Sequence, residues 1–463
     1  MAKIFFSGIG GSGLSAIAVF MADRGHSIVG SDRSFDRSPD NPICNILKSK
    51  GITIVPQDGS GINTSIDLAV FSTAVENNQP EFIKARQLDI PMKTRPQYLC
   101  EIVSEFRTIA VAGTSGKSTI AGLLAFLLNK LGLEPNFIGG GRVKQFKSES
   151  NLGNSLSGSS DLLVIEACES DGSIVHYHPL HSIIANLSLD HNSIEKTGEM
   201  FETLGRNTKQ MLVIGGDDEN LRRCRFDNPV RFSIDTDSEY KAEAVEYLPM
   251  NAKFTLHGVA FNLSLPGKYN LYNALSSIAL LSETGIKLQH IAEVLHDFSG
   301  IERRFDIHLD NGKHLVVDDY AHNPHKIASL MEAVKKVRRR VCYIFQPHGF
   351  GPTRLMKQGY IDAFISNLRP EDHIILLPIY YAGGSTRKDI SSEVLSDEIR
   401  AAGKSAEVLF ERSLIFNRLR EWDNYIIFGA RDESLADFAR EIAMRLKNNP
   451  LPPFIKGVVK NDL

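Results

Sequence analysis

The seven residues Gly113-Thr-Ser-Gly-Lys-Ser-Thr119 stand between a short apolar run, Thr108-Ile-Ala-Val-Ala112, and a leucine-rich segment, Ile120 to Leu131. That order predicts a strand, a phosphate loop and a helix. Glycines let backbone N–H groups wrap an anion, and the new helix points its positive end at it. Lys117 adds a charge and the Ser118 hydroxyl can hold Mg²⁺. The spacing therefore predicts a nucleoside triphosphate site. The common eight-residue form G-x-x-x-x-G-K-[ST] needs glycine at 111, where Val111 stands, so the flanking strand and helix carry the argument. An ordinary glycine turn with a surface lysine is the competing reading.

At 463 residues the chain has room for about three domains of ordinary size. The charges nearly cancel, 52 basic against 55 acidic for a net −3, so nothing calls for a nucleic acid partner. Cys44, Cys100, Cys168, Cys224 and Cys342 are odd in number, scattered and never spaced C-x-x-C, which reads as reduced thiols in a cytoplasmic protein. The segment from Met1 runs straight into a strand, and no apolar stretch is long enough for membrane insertion.

A second glycine turn lies near the start. Ile4–Ser7 reads as a strand, Gly8-Ile-Gly-Gly-Ser-Gly13 satisfies G-x-G-x-x-G, and Leu14 to Arg24 is helical in pattern. After the strand Ser27–Ser31, Asp32 stands 19 residues beyond Gly13, where a dinucleotide fold places the acid that grips a ribose hydroxyl. The same turn can receive any diphosphate, that of a uridine nucleotide included, or serve as a turn with no ligand.

The rest of the first unit adds a strand over Asp67–Phe71 and helices over Gln79–Leu88 and Arg95–Val103. Residues 148–160, rich in Ser, Gly and Asn, read as a loop. After residue 298 the strands Leu315–Val317, Val341–Phe345, His373–Leu377 and Tyr425–Phe428 alternate with helical stretches, which predicts a further parallel α/β sheet. In the middle unit the strand Asp161–Ile165 ends in Glu166, with Glu169 and Asp171 following. The strand Ser182–Ala185 ends in Asn186, then Asp190 and His191. Glu166, His191 and Ser118 could assemble a Mg²⁺ site with phosphate oxygens, while Glu169 and Asp171 read as a solvated rim. Trp422 reads as packing, the basic run 335–340 as a solvated helix end, and residues 458–463 as a loose tail.

Eight motifs in order, G-I-G-G-S-G, G-T-S-G-K-S-T, E-A-C-E-S-D, N-L-S-L-D-H, P-G-K-Y-N-L-Y-N-A, R-R-F, D-D-Y-A-H-N-P and F-Q-P-H, cover nearly the whole chain. The series closely resembles the Mur ligases, ATP-dependent amide ligases of peptidoglycan synthesis. The resemblance implies an α/β fold of three domains. A Rossmann-like UDP-binding domain would span 1–104, a central P-loop ATPase-type domain 105–298, and a C-terminal Rossmann-like α/β domain 299–463.

The resemblance also implies roles. Gly113, Thr114, Ser115, Gly116, Lys117, Ser118 and Thr119 would bind ATP, together with Asn270 and Asn273 on the adenine side, Arg304 at a phosphate and Asp319 at the ribose. Ser118, Glu166 and His191 would hold Mg²⁺. Gly10, Gly11, Ser12, Gly13, Asp32, Ser72, Thr73 and Arg95 would hold UDP-N-acetylmuramate, and His348 would face the acceptor or its amine, an amino acid or short peptide. The protein would act as a monomer or homodimer, closing on hinges near 105 and 299. On chemical grounds His322 and His348 are both candidate bases.

Three departures leave the amine open. Alanine-adding members of the family usually read G-T-H-G-K-T-T, where this chain has Ser115 and Ser118; D-D-Y-G-H-H-P becomes Asp318 to Pro324. The arginine-bearing R-Y-S-R-T-R after F-Q-P-H becomes Gly349-Phe-Gly-Pro-Thr-Arg354. Two of three arginines are absent, and neither glycine nor proline can make a bidentate carboxylate contact. Tripeptide-recycling members, or a paralogue with another amine, are the alternatives within the family. A dinucleotide-dependent oxidoreductase would explain Gly8 to Asp32 but leave Lys117, Glu166 and His191 idle.

Overall fold

The computed structural model describes residues 1–448 other than Pro39, Asp190, His191, Pro249, 382–386, Arg420, Ala430 and Arg431. The described chain forms two compact units, Met1–Glu302 and one that begins at Arg303.

The first unit opens with a five-stranded sheet in the order Thr53–Ile54, Ser27–Ser31, Lys3–Ser7, Leu68–Phe71, Met92–Thr94, every pair parallel. The chain first winds to one side of Lys3–Ser7 and then to the other. This reversal opens a crevice beyond Ser7 and Phe71, where ligands collect in such sheets. The glycine turn fills it. The helix Arg95–Ser104 starts on a reciprocal cap, Thr94 with Gln97.

A larger sheet follows in the order Ser155–Leu156, Asn136–Ile138, Leu162–Glu166, Arg107–Ala112, His181–Ile184, Met211–Gly215, Val230–Ser233, Tyr240–Lys241. It is parallel except at the first pair. Arg107–Ala112 lies at its centre, buried from Thr108 onward, and launches the helix Lys117–Lys130, whose residues Thr119–Leu128 are all buried. Fully burying each such leucine or phenylalanine is worth about 1.5–3 kcal/mol, which anchors the loop between strand and helix. Residues 148–160 are not a plain loop: Asn151–Leu152 pairs with Lys147–Ser148, and Ser155–Leu156 forms the antiparallel edge of the large sheet. An antiparallel meander, Glu243–Tyr247, Ala252–Leu256, Val259–Leu263, completes the unit's sheets.

The second unit is built on the order Asp306–Asp310, Leu315–Asp319, Asn424–Phe428, Val341–Phe345, His373–Leu376, Ala406–Val408. The four strands read from the sequence pair parallel, as expected, and the additional edge strand Asp306–Asp310 runs antiparallel to Leu315–Asp319. The basic run is solvated as expected at Lys336, Arg339 and Arg340, with one exception. Its helix, Pro324–Val337, does end among lysines, but Arg338 is largely buried in an ion pair with Asp310. Trp422 packs as expected, stacked on His373 at 4.9 Å. Residues 458–463 lie outside the described residues.

Candidate active site

Gly113 and Gly116 take φ of 136° and 87°, conformations that side chains rarely adopt, and they turn the strand Arg107–Ala112 into the helix. Asn186, just past the neighbouring strand, straps the loop: its Oδ1 accepts from Ser115 N at 2.8 Å and its Nδ2 donates to Ser115 O at 2.9 Å. Thr114 Oγ1 accepts from Ser188 N at 2.9 Å. A Cβ on Gly116 would overlap Asn273 Oδ1. Gly116→Ala is therefore expected to lose roughly 1–2 kcal/mol of stability from the left-handed backbone alone, read by urea unfolding, and to weaken triphosphate binding further by pushing Asn273 aside.

Lys117 Nζ donates to Gly113 O at 2.6 Å and to both oxygens of Glu169 at 3.1 and 2.8 Å. Glu169 is 4% exposed, so the solvated-rim reading of this residue is wrong. Asp171 is likewise occupied, in an ion pair with Arg95. Ser118 Oγ donates to Glu166 Oε2 at 2.9 Å, and Glu166 Oε1 accepts from Gly140 N at 2.6 Å and Gly141 N at 3.1 Å. A hydroxyl and a carboxylate side by side above a phosphate loop fit Mg²⁺, a hard cation that takes one or two carboxylates plus substrate phosphates. His191 lies outside the described residues. No group of three or more His, Cys, Asp or Glu among the described residues could hold a metal ion by itself.

Asn270 and Asn273 are buried on the helix Lys268–Glu283. Asn270 Nδ2 donates to Pro266 O at 2.8 Å and Asn273 Nδ2 to Asn270 Oδ1 at 3.4 Å. Asn273 thus adjoins the phosphate loop.

In the first sheet's crevice Gly8 N and Ile9 N both donate to Ser31 O, and Gly10 N donates to Asp32 Oδ2 at 2.9 Å. Asp32 Oδ1 accepts from Ser34 N and Oγ at 2.9 and 2.6 Å. Asp32 braces the glycine turn directly. Ser72 N donates to Ser7 O, and the Ser72 side chain lies against Gly8; Thr73 is exposed beside it. Gly11, Ser12 and Gly13 open the helix Ser12–Asp23, and the Arg95 side chain lies 3.3 Å from the position a Cβ on Gly13 would take.

In the second unit Arg304 stacks over the Tyr320 ring at 4.9 Å. Burial raises the Asp319 carboxyl above the usual range against the pull of Arg304, and its oxygens accept from Phe305 N at 2.6 Å and Ala321 N at 2.7 Å. Arg303, which the sequence does not single out, is the buried arginine: it bonds Asp318 Oδ2 at 3.2 Å and Gly429 O at 2.7 Å. The His322 and His348 rings lie 5.5 Å apart. Burial, with Lys326 adding to it, pushes His322 down to about 3. Its Nδ1 faces Tyr320 O at 2.9 Å. A group so reluctant to take a proton is a weak base for an amine. Arg354, the one arginine in the stretch after F-Q-P-H, is tied to Asp389 and Arg387 O.

The sequence left three contributors to this site unassigned. Glu169 is hidden because its cation is 52 residues away. The run Gly139-Gly-Gly141 after the strand Asn136–Ile138 is a legible close-approach signal, and a Cβ on Gly141 would sit 2.8 Å from Ser118 Cβ. Asn186 ends a strand beside the loop, which is where such straps arise.

Comparison with known proteins agrees along the chain. Residues 3–107 match the profile of the Mur ligase family catalytic domain, 111–281 the Mur ligase middle domain, and 303–431 the Mur ligase glutamate ligase domain. The UDP-N-acetylmuramate--L-alanine ligase of Persephonella marina is 30% identical over 465 residues, 96% of this chain and 97% of that one. That of Burkholderia cenocepacia is 32% identical over 87% of this chain and 88% of its own. Among solved structures, the UDP-N-acetylmuramate-alanine ligase of Thermotoga maritima superposes with a TM-score of 0.81 at 26% identity, covering 97% of this chain and 100% of that one. A murein peptide ligase from Psychrobacter arcticus shares the fold, with a TM-score of 0.69 at 22% identity over 98% of this chain and 100% of its own. Phosphate loop, glycine turn and three matched domains in series together make this chain a member of the Mur ligase family.

Proposed function

We propose that this chain joins the carboxylate of UDP-N-acetylmuramate to the amine of L-alanine in peptidoglycan precursor synthesis, consuming ATP and releasing ADP and phosphate. The observation that carries the reading is the phosphate loop with Lys117, Ser118 and Glu166 assembled in one site, in a chain about 30% identical, nearly end to end, to ligases of that specificity.

A carboxylate is a poor acylating agent, so it first takes the γ-phosphoryl group to become an acyl phosphate, and the amine then displaces phosphate. Ser118 and Glu166, with His191, would hold Mg²⁺, whose charge supports phosphoryl transfer. Lys117 and the N–H groups of Ser115 to Ser118 would hold the β- and γ-phosphates and stabilise the charge that builds there. Asn270 and Asn273 serve the adenine side, Arg304 a phosphate and Asp319 the ribose. The turn Gly10–Gly13, with Asp32, Ser72, Thr73 and Arg95, holds the uridine nucleotide, and His348 faces the acceptor or its amine. These groups come from segments 1–104, 105–298 and 299–463, which we treat as three domains hinged near 105 and 299.

A different amine is the second reading, favoured by the loss of two arginines and the engagement of the third with Asp389. Phosphate release with Mg-ATP and UDP-N-acetylmuramate, compared across L-alanine, L-serine, glycine and the cell-wall tripeptide, separates the two. Stimulation by L-alanine with a new amide product is expected. Stimulation by the tripeptide alone would make this a recycling ligase, and silence with all four would sink the proposal.

A further inference from the structure

One short loop, residues 166–173, carries three carboxylates, and each engages a group that belongs to an anion site. Glu166 takes the Ser118 hydroxyl, Glu169 takes Lys117 through both oxygens, and Asp171 takes Arg95. Arg95 lies against Gly13 of the glycine turn, whereas Lys117 lies in the phosphate loop. The loop therefore touches both nucleotide sites. Its far end is fixed by Ser173, whose N and Oγ donate to Asp171 Oδ1 at 3.0 and 2.6 Å.

We propose that Glu169 and Asp171 are positioning residues that couple the two sites, Glu169 by occupying Lys117 and Asp171 by occupying Arg95 until phosphates claim them. The inference rests on the reading above, in which the phosphate loop takes ATP and the glycine turn takes the diphosphate of the nucleotide sugar. The Glu169 side chain is 5% exposed, so phosphate oxygens arriving at Lys117 face a poorly hydrated like charge. They displace it only as the loop shifts. Asp171 is two residues on, so the shift loosens its hold on Arg95, whose guanidinium then turns to the diphosphate with fork geometry suited to it. By linkage the effect is reciprocal, each nucleotide tightening the other by the same factor.

Calorimetric titration of a non-hydrolysable ATP analogue with Mg²⁺, with and without saturating UDP-N-acetylmuramate, reads that factor. About tenfold is expected for the unaltered chain, within the usual span of allosteric coupling. Asp171→Asn should bring the factor to about one while tightening the nucleotide sugar when it binds alone. Asp171→Glu should restore most of the factor. Glu101→Gln, which removes only an ion pair with Lys93 from the helix Arg95–Ser104 that carries Arg95, should leave it intact. Binding of both ligands with no coupling in the unaltered chain, or full coupling in Asp171→Asn, overturns the inference alone. Failure of either ligand to bind the unaltered chain overturns the functional reading and the inference with it.

Discussion

Replacing Lys117 with methionine is expected to reduce turnover by about 10²–10³, the usual cost of removing one preorganised charge-stabilising donor, and to destabilise the protein as well. The second effect comes from Glu169. Its side chain is 5% exposed and that of Lys117 15%, so truncating the cation strands a buried carboxylate. Breaking a buried pair from one side costs about 3–5 kcal/mol. Methionine keeps most of the lysine's volume, so the loss is electrostatic and not a cavity. The double variant Lys117→Met with Glu169→Gln should regain most of the lost stability and none of the turnover. Urea unfolding and phosphate release measure the two effects separately. A Lys117→Met protein as stable as the unaltered chain would show that Glu169 finds another cation or leaves its pocket at no cost.

The Arg303–Asp318 pair should give an effect of similar size with a strong pH dependence. Asp318 is fully buried, and burial pushes its carboxyl up to about 7, with Asp319 and Asp306 adding to the rise and the Arg303 guanidinium opposing it. An acid whose folded pKa lies above its unfolded value, about 3.9, contributes stability that is fully present below the unfolded pKa and is lost as pH rises through the folded one. In the unaltered chain Arg303 limits that loss. Arg303→Met removes the opposing charge and two hydrogen bonds, so the carboxyl rises further and its deprotonation continues to cost stability in the alkaline range. About 3–5 kcal/mol should be lost at pH 8. The gap should narrow toward pH 6, where the stranded carboxyl is protonated, by up to about 1.4 kcal/mol per pH unit for one proton. Unfolding midpoints at pH 6, 7 and 8 check the sign; a gap that stayed constant would mean Asp318 keeps its charge by other means.

Elements with a strong local signal were readable from the chain itself. The strand Arg107–Ala112, the loop Gly113–Thr119 and the helix Lys117–Lys130 follow from an apolar run, two glycines and a leucine-rich stretch. The glycine turn at Gly8–Gly13 follows likewise. What escaped was pairing over distance. Ser155–Leu156 becomes a strand only because Asn136–Ile138 offers an open edge, and nothing in Ser, Gly and Asn composition announces that. The antiparallel strand Asp306–Asp310 exists because Leu315–Asp319 is adjacent to it across a short turn. The meander around His257-Gly258 had a legible alternation, Phe254 and Leu256 against Phe261 and Leu263, which a search for strand–helix–strand units passes over.

The site divides in the same way. Ser118 and Glu166 stand at a helix start and a strand end in one parallel sheet, and topology alone brings them to 2.9 Å. Glu169 and Asp171 look like a hydrophilic rim in sequence, because an ion pair with Lys117 or Arg95 is invisible until the chain folds. Arg303 and Arg304 are indistinguishable as neighbours in sequence. Both guanidinium groups lie over the Tyr320 ring, at 5.3 and 4.9 Å, but Arg303, with φ of 57°, is the one that reaches the buried Asp318.

The most direct test of the ligase chemistry is to follow oxygen. UDP-N-acetylmuramate carrying ¹⁸O in its carboxylate, turned over with Mg-ATP and L-alanine, should deliver one labelled oxygen into each phosphate released. The carboxylate oxygen that attacks the γ-phosphorus leaves with it when the amine forms the amide. Unlabelled phosphate alongside amide product would contradict an acyl phosphate, and phosphate release with no amide would contradict the ligase itself.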